Sequence, residues 1–469
     1  MDAFNEFLAS TSNLLYSYIL IILLVGTGIY FFIRTKALPF RMFAESIRVV
    51  AEPPSDEDSI SSFRALMVST ASRVGVGNIA GVATAIATGG AGAMFWMWLI
   101  ATLGGSSAFI ESTLAQIYKK RDTDGSSYGG PAFYIQQALK SRWLGMTFAV
   151  ILILTYMGGF NMLASFNTAD SFRTYSFFDE SWTPAVIGLA LAIATGLSII
   201  KGTKRLSLVT SYIVPVMAII YIIGGLLVIF SNLGRVPEVF SAIFSQAFDF
   251  EAIFGGFAGS AVMLGIKRGL YSNEAGIGSA PNAAASAGVS HPVKQGLVQM
   301  LSVFIDTMII CTITGLTILM SGVQGGEDLT GAALVQESLS TVMGPFGHPF
   351  LTFALVLFAF TTLIGNFYYA EVNLRYIMGR TPSNAVLYAF RITASVIVFA
   401  GALLALETAW NIADILMGLM ALINLPVIII LGKKALLALQ DYQQQRKAGV
   451  NPEFKASTIE LDGKVDFWQ

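Results

Sequence analysis

Two short stretches of this 469-residue chain hold residue types at odds with their surroundings. Lys267–Ala287 (KRGLYSNEAGIGSAPNAAASA) lies between long apolar runs yet carries Lys267, Arg268, Asn273, Glu274, Gly269, Gly276, Gly278 and Pro281. Arg73–Gly81 (RVGVGNIAG) interrupts another apolar run. Lipid offers no hydrogen bonds, so charges and irregular backbone at that depth are buried in protein or line a watery cavity. A helix interrupted there bares N–H groups on one half and C=O groups on the other. Amides at Gly75, Val76 and Gly77 would bind a carboxylate, helped by the positive end of the resumed helix. Glycine at 75 and 77 lets the chain unwind and a small ligand approach the backbone. Carbonyls near Tyr271 and Ser272 would accept an ammonium. Donors on one wall and acceptors on the other suit a zwitterion.

A cation site is also within reach of these residue types. Thr361 and Thr362 stand side by side in an apolar run. If they face the first interruption, the carbonyls of Ala71 and Val74 complete a set of oxygens for sodium. The competing reading has each hydroxyl bonding back to its own helix. The Asn78 side chain either points its oxygen at the ion or caps the resumed helix. Arg73, Lys267 and Arg268 are read first as charge pairs or gates with Glu274, Glu111, Asp306 or Glu371, because pairing is the tolerable state of a charge in lipid. A proton relay through Glu274 or Asp306 is the functional alternative.

Composition sets the frame for these residues. The chain is 55% hydrophobic and 12% charged, against about 25% charged in soluble domains. A membrane protein is the class that fits. Net charge is −1, which gives no footing for nucleic acid. One cysteine and two histidines exclude an internal disulfide and Cys/His metal cages. An intramembrane enzyme would need a nucleophile–base pair or an HExxH string at depth, and none is present. A channel would favour a continuous polar stripe rather than paired interruptions. The N-terminus lacks the charged region and cleavage site of a signal peptide.

A span takes about 20 apolar residues, and on that measure the chain reads as all-α with eleven transmembrane helices: 14–33, 60–88, 91–118, 144–172, 183–200, 206–232, 251–283, 293–320, 349–378, 385–406 and 411–431. An amphipathic piece at 38–50 lies along the surface. Gly129–Leu139 is a short helix, Gly234–Phe250 a polar connection, and the tail is polar, helical through Gln440 and then loose. Lys and Arg collect on one side, from Arg34 through Lys119, Lys120, Arg121 and Lys204 to Lys433, while the opposite side holds only Arg173 and Arg235. That bias places the N-terminus outside and the C-terminus in the cytoplasm, in a plasma membrane of the bacterial inner-membrane type. Setting aside residues 1–59, two groups of five spans remain, 60–233 and 250–432, followed by a tail at 433–469. Each group opens on an interrupted span. Arg73, Asn78, Ala80 and Gly81 align with Arg268, Asn273, Ala275 and Gly276 at equal spacing. An odd number of spans per half makes the repeat inverted, and inverted repeats with interrupted helices in matching places mark secondary transporters.

The strings VGNIAGVATAI (76–86), GGAGAMFWMW (89–98) and GIKRGLYSNEAGIGSAPNAAA (265–285) resemble those of the alanine/glycine:cation symporter family, and the likeness runs over nearly the whole chain. The resemblance implies a leucine-transporter-type 5+5 inverted repeat plus one extra N-terminal helix, and sodium- or proton-coupled uptake of a small neutral amino acid. It assigns the substrate to Val76 and Gly77 in the first interrupted helix and to Tyr271, Ser272 and Asn273 in the second, and sodium to Thr361 and Thr362. Three positions depart from the family's pattern. Val76 replaces a usual Thr. Ala164-Ser165-Phe166 stands where the family has Gln-Ala-Asn. Asn366 replaces a Trp ahead of Tyr368-Tyr369. The last change enlarges the pocket and adds an amide that needs a partner, which points to serine, asparagine or glutamine rather than alanine.

Overall fold

A computed structural model describes residues 2–55, 59–122, 125–200, 203–249, 251, 256–326, 328–459, 461 and 465–468. The fold is mostly helical. Eight helical stretches among these residues are long and apolar enough to cross a membrane, which makes this a multi-pass membrane protein. The all-α reading needs one amendment. A two-residue antiparallel ladder, β1 (Lys120–Arg121) with β2 (Ser127–Tyr128), turns the chain after its first long buried helix.

The opening helix α1 (Ala3–Arg34) begins well before the expected Leu14. A single turn, Leu38–Arg41, and α2 (Phe43–Val50) follow along the bundle's end. The first interrupted element consists of α3 (Ser62–Arg73) and α4 (Val82–Gly89), with a π-helical turn Gly77–Gly81 between them. Next come α5 (Ala93–Ile117), the short α6 (Pro131–Ala138), α7 (Arg142–Asp170), α8 (Thr183–Ile199) and α9 (Thr203–Ser231). The expected polar connection is instead α10 (Val236–Ala247), whose Val239, Ile243 and Ala247 are buried at four-residue intervals. The second interrupted element is α11 (Ala261–Asn273) and α12 (Ala280–Ala284). The chain then runs through α13 (Pro292–Ser321), α14 (Gly331–Met343), α15 (Gly347–Met378), α16 (Asn384–Gly401) and α17 (Leu406–Lys447).

The two interrupted elements lie side by side and run in opposite directions. Ile60, just before α3, bridges Ala287, just after α12, and the Gly288 amide donates to the Ile60 carbonyl at 3.0 Å. At the other end a Cβ on Gly89 would sit 3.3 Å from the Ala261 backbone. α5 packs along α11, α12 and α13, and α15 along α3. The interruptions are therefore enclosed on several sides by continuous helix.

The tail is not loose. α17 stays helical to Lys447, and Phe454, Ile459, Val465 and Trp468 are buried. Trp468 Nε1 donates to the Gln116 carbonyl at 2.8 Å, and the Phe454 amide donates to Ser290 O at 3.0 Å. The apolar residues are spaced without helical period, so sequence polarity hid a cap held by irregular backbone. His291 is clamped in this cap between the Tyr442 and Phe454 rings, with Nε2 3.1 Å from Asp441. Burial, opposed by Asp441, lowers its pKa from 6.5 to about 4. A depressed pKa makes the neutral ring the folded form. The stability that neutral His291 lends the docked cap is therefore full above pH 6.5 and falls away as pH drops toward about 4. Limited proteolysis between Val450 and Trp468 should accelerate over that window. Equal cleavage at both ends of it would contradict this role for His291.

Candidate functional site

The first interruption is built by Val74, Gly75 and Asn78. Val74 leaves the helix at φ −73°, ψ 89°, which ends α3 at Arg73. Asn78 holds the resulting turn from two sides. Its Oδ1 accepts the Gly75 amide at 3.0 Å, and its backbone N–H donates to Gly75 O at 3.2 Å. Its oxygen therefore serves the turn, in the manner of a cap, and the Gly75 amide is spent there. Val76 and Gly77 open the resumed helix, where backbone amides lack an intrahelical acceptor. Both glycines are dictated by close approach. A Cβ at Gly75 would lie 2.4 Å from Thr362 Oγ1, and one at Gly77 would lie 2.3 Å from a ring carbon of Tyr271.

The second interruption falls later than the sequence alignment placed it. Residues 268–273 are continuous α-helix, and the break runs from Glu274 to Ser279. Arg268 and Asn273 matched Arg73 and Asn78 by type, but both are compatible with helix. The conformational demand lies at Gly276 (φ 85°) and Gly278 (φ 89°), where glycine avoids the Cβ penalty. Gly276-Ile277-Gly278-Ser279 repeats Gly75-Val76-Gly77-Asn78, a match visible in the chain itself. Glu111 Oε1 accepts the Gly276 amide at 3.2 Å, and Asn424 Nδ2 donates to Glu111 Oε2 at 2.8 Å and to Gly276 O at 2.9 Å. Asn273 Oδ1 accepts the Ala275 amide at 3.0 Å. Tyr271, Ser272 and Asn273 form the last turn of α11, where carbonyls lose their regular i+4 donors.

One carboxylate ties the first interruption to the helical turn just before the second. Asp306 is wholly buried on the π-helical segment Phe304–Cys311 of α13. Its Oδ1 accepts from Asn78 Nδ2 at 2.7 Å, and its Oδ2 accepts from the Ser272 and Thr307 hydroxyls, the latter at 3.0 Å. The Ser272 side chain is thereby tied to Asp306, leaving its carbonyl as the group at the break.

Of the paired threonines, Thr362 reaches the first interruption, its hydroxyl donating to Ala71 O at 3.2 Å. Thr361 does not. Its hydroxyl turns back to Leu357 O and Phe358 O at 3.1 and 3.0 Å and faces Met217. Asn366 finds its partners within the protein. Oδ1 accepts from Ser72 Oγ at 2.6 Å, and Nδ2 donates to Asn161 Oδ1 at 2.9 Å. Ala164 is buried on α7, the helix that supplies Asn161.

Of the buried charges, Arg73 faces Glu274 as expected, whereas Lys267 and Arg268 find an acid outside the expected set. Lys267 Nζ and Arg268 Nη1 share Asp414, at 2.8 and 3.0 Å. Asp414 was readable as a lone acid in the apolar run of α17. Glu371 pairs with Arg375 at 3.1 Å. Arg73 Nε lies 3.8 Å from Glu274 Oε2. Arg268 stacks 3.8 Å over the Trp410 ring, which meets Tyr271 at 5.1 Å, and Phe160 meets Tyr271 at 4.7 Å. This aromatic layer covers the breaks on the side away from the tail. Beyond the layer, at the same end, an open cavity is lined by Phe166, Asp170, Arg173, Asp328, Thr330 and Leu404.

A membrane-embedded bundle organised on two antiparallel interrupted helices is the architecture of a solute carrier rather than of a soluble enzyme. A model of the sodium:alanine symporter family matches residues 1–456, and the chain belongs to that family. It is 43% identical over 459 residues to a probable sodium/glutamine symporter of Bacillus subtilis, covering 97% of this chain and 94% of that one. It is 40% identical over 477 residues to a putative sodium/proton-dependent alanine carrier of the same organism, covering 99% and 97%. Among solved structures, a manganese transporter of Eremococcus coleocola shares the fold at TM-score 0.51 and 12% identity, covering 86% of this chain and 81% of the other.

Gly77→Ala should destabilise the protein by about 1–3 kcal/mol through overpacking against Tyr271. Tyr271→Leu should restore part of the loss. Thermal unfolding in detergent checks both, and an unchanged midpoint for Gly77→Ala would contradict the contact.

Proposed function

We propose that this protein is a secondary active symporter that couples entry of sodium to uptake of a small neutral amino acid by alternating access. The observation that carries the reading is the antiparallel pairing of two interrupted helices, in which Asp306 joins Asn78 to Ser272, in the turn before the second break, and Glu111 and Asn424 hold Gly276 within that break. In this reading the eight long spans, the shorter Thr183–Ile199 and the two interrupted elements make eleven crossings. They divide into an extra N-terminal part (1–59) and two inverted five-helix repeats (60–233 and 250–432) of leucine-transporter type. The N-terminus lies outside, and the tail caps the cytoplasmic end of a bacterial inner-membrane protein.

The amides of Val76 and Gly77 face the substrate carboxylate, and the carbonyls of Tyr271, Ser272 and Asn273 face its ammonium. Sodium sits among the Ala71 and Val74 carbonyls and Thr362, a reading supported by the Thr362–Ala71 contact. Thr362→Val should raise the sodium concentration needed for half-maximal uptake by about tenfold, the cost of one lost ligand of some 1.4 kcal/mol. Thr361→Val, whose hydroxyl bonds its own helix, should change it little. Uptake of labelled amino acid into proteoliposomes over a range of external sodium measures both. Equal effects of the two substitutions would refute the assignment.

The substrate in this reading is serine, asparagine or glutamine. The Asn366 amide is satisfied by Ser72 and Asn161 and so does not itself call for a polar substrate; the support is a relative at 43% identity named as a probable sodium/glutamine symporter. In competition assays glutamine, asparagine or serine should displace label more strongly than glycine. A preference for glycine with glutamine ignored would overturn the substrate class. Proton coupling is the second reading, favoured by the relative named sodium/proton-dependent. Uptake driven by a pH gradient in sodium-free buffer would select it, and binding without any uptake would mark a receptor.

A further inference from the structure

Arg73 ends α3 at the first interruption, and its side chain is wholly buried. Its Nε, Nη1 and Nη2 make no hydrogen bond among the described residues. A guanidinium stays charged and carries five donors in one plane. A buried charge without hydrogen bonds is the state proteins avoid most strongly. Glu274 Oε2 stands 3.8 Å from Nε, beyond hydrogen-bond distance, and accepts instead from Ser279 Oγ at 2.6 Å.

Glu274 is unusual in its backbone as well. It caps α11 in the left-handed region, φ 54° and ψ 20°. Glycine is the ordinary occupant of that position, and a Cβ there is disfavoured. A side chain has thus been kept where backbone alone would prefer none. The Tyr156 and Tyr369 side chains are buried nearby, and their rings lie 5.2 Å apart. Both tyrosines are within electrostatic reach of Glu274, and Tyr369 of Arg73 also. Where the two interruptions meet, the protein therefore holds one cation and one anion that do not saturate each other.

We infer that Arg73 receives the α-carboxylate of the transported amino acid, and that Glu274 stands in for that carboxylate when no amino acid is bound. A planar carboxylate fits a guanidinium fork with two parallel hydrogen bonds. A zwitterion adds no net charge to the site, and its ammonium is met by the carbonyls of Tyr271, Ser272 and Asn273 rather than by Glu274. The inference rests on the amino-acid reading above and adds a charged donor to the backbone amides of Val76 and Gly77.

The test is equilibrium binding to the purified full chain in sodium buffer, with L-glutamine, L-alanine and their α-amides as probes. Wild type should bind each acid at least about tenfold more tightly than its amide, since the amide lacks the charge that Arg73 pairs. Arg73→Gln should weaken binding of the acids by about a hundredfold and sharply reduce the preference over the amides. Glu274→Gln removes the competitor and should tighten binding of the acids by several-fold. A structural ion pair behaves otherwise, because losing either partner then harms binding alike. Acid and amide bound equally by wild type would overturn the inference while leaving the transport reading intact. Wild type that binds none of the common L-amino acids would overturn both. If Arg73→Gln does not fold, Glu274→Gln decides alone: tighter binding supports the inference, and unchanged or weaker binding overturns it.

Discussion

Peptide groups released from a helix inside an apolar bundle must find partners, and this fold is arranged around meeting that demand twice. At the first interruption Asn78 supplies the acceptor for Gly75 and is itself steadied by Asp306. At the second, Glu111 and Asn424 bracket Gly276 from both its amide and its carbonyl. Asp306 also takes the Ser272 hydroxyl from the last turn before the second break. Asp306 thus ties the first irregular segment to the helical turn that leads into the second.

The surrounding helices follow from that constraint. α5 carries Glu111, α13 carries Asp306 and α17 carries Asn424 and Asp414, so three continuous helices each contribute a polar group on a buried face. Lys267 and Arg268 find Asp414 one turn or more before the second break. Close approach is secured by glycine where it matters. Thr362 rests against Gly75 and Tyr271 against Gly77, so a methyl group at either place would enter occupied space. Loosening one of these contacts should be felt at both interruptions, because they share partners.

Much of this was legible in the chain. Apolar length located the eight long helices among the described residues, and the glycines at 75 and 77 marked the first interruption. The second was misplaced because Arg268 and Asn273 imitate Arg73 and Asn78 by residue type, whereas the backbone responds to Gly276 and Gly278. The choice between Thr361 and Thr362 depends on helix phase, which adjacent residues of equal chemistry cannot disclose. The cap formed by Phe454 and Trp468 was hidden because its apolar residues follow neither helical nor strand period. α10, by contrast, was readable from Val239, Ile243 and Ala247, whose spacing is helical.

A cryo-EM map of the full chain in lipid nanodiscs, with saturating L-glutamine and sodium, tests the central claim most directly. The account requires amino-acid density between Val74–Asn78 and Glu274–Ser279, with α11 helical through Asn273. Density confined to the open cavity beside Asp170 and Asp328, with the two interruptions closed on each other and empty, would contradict it.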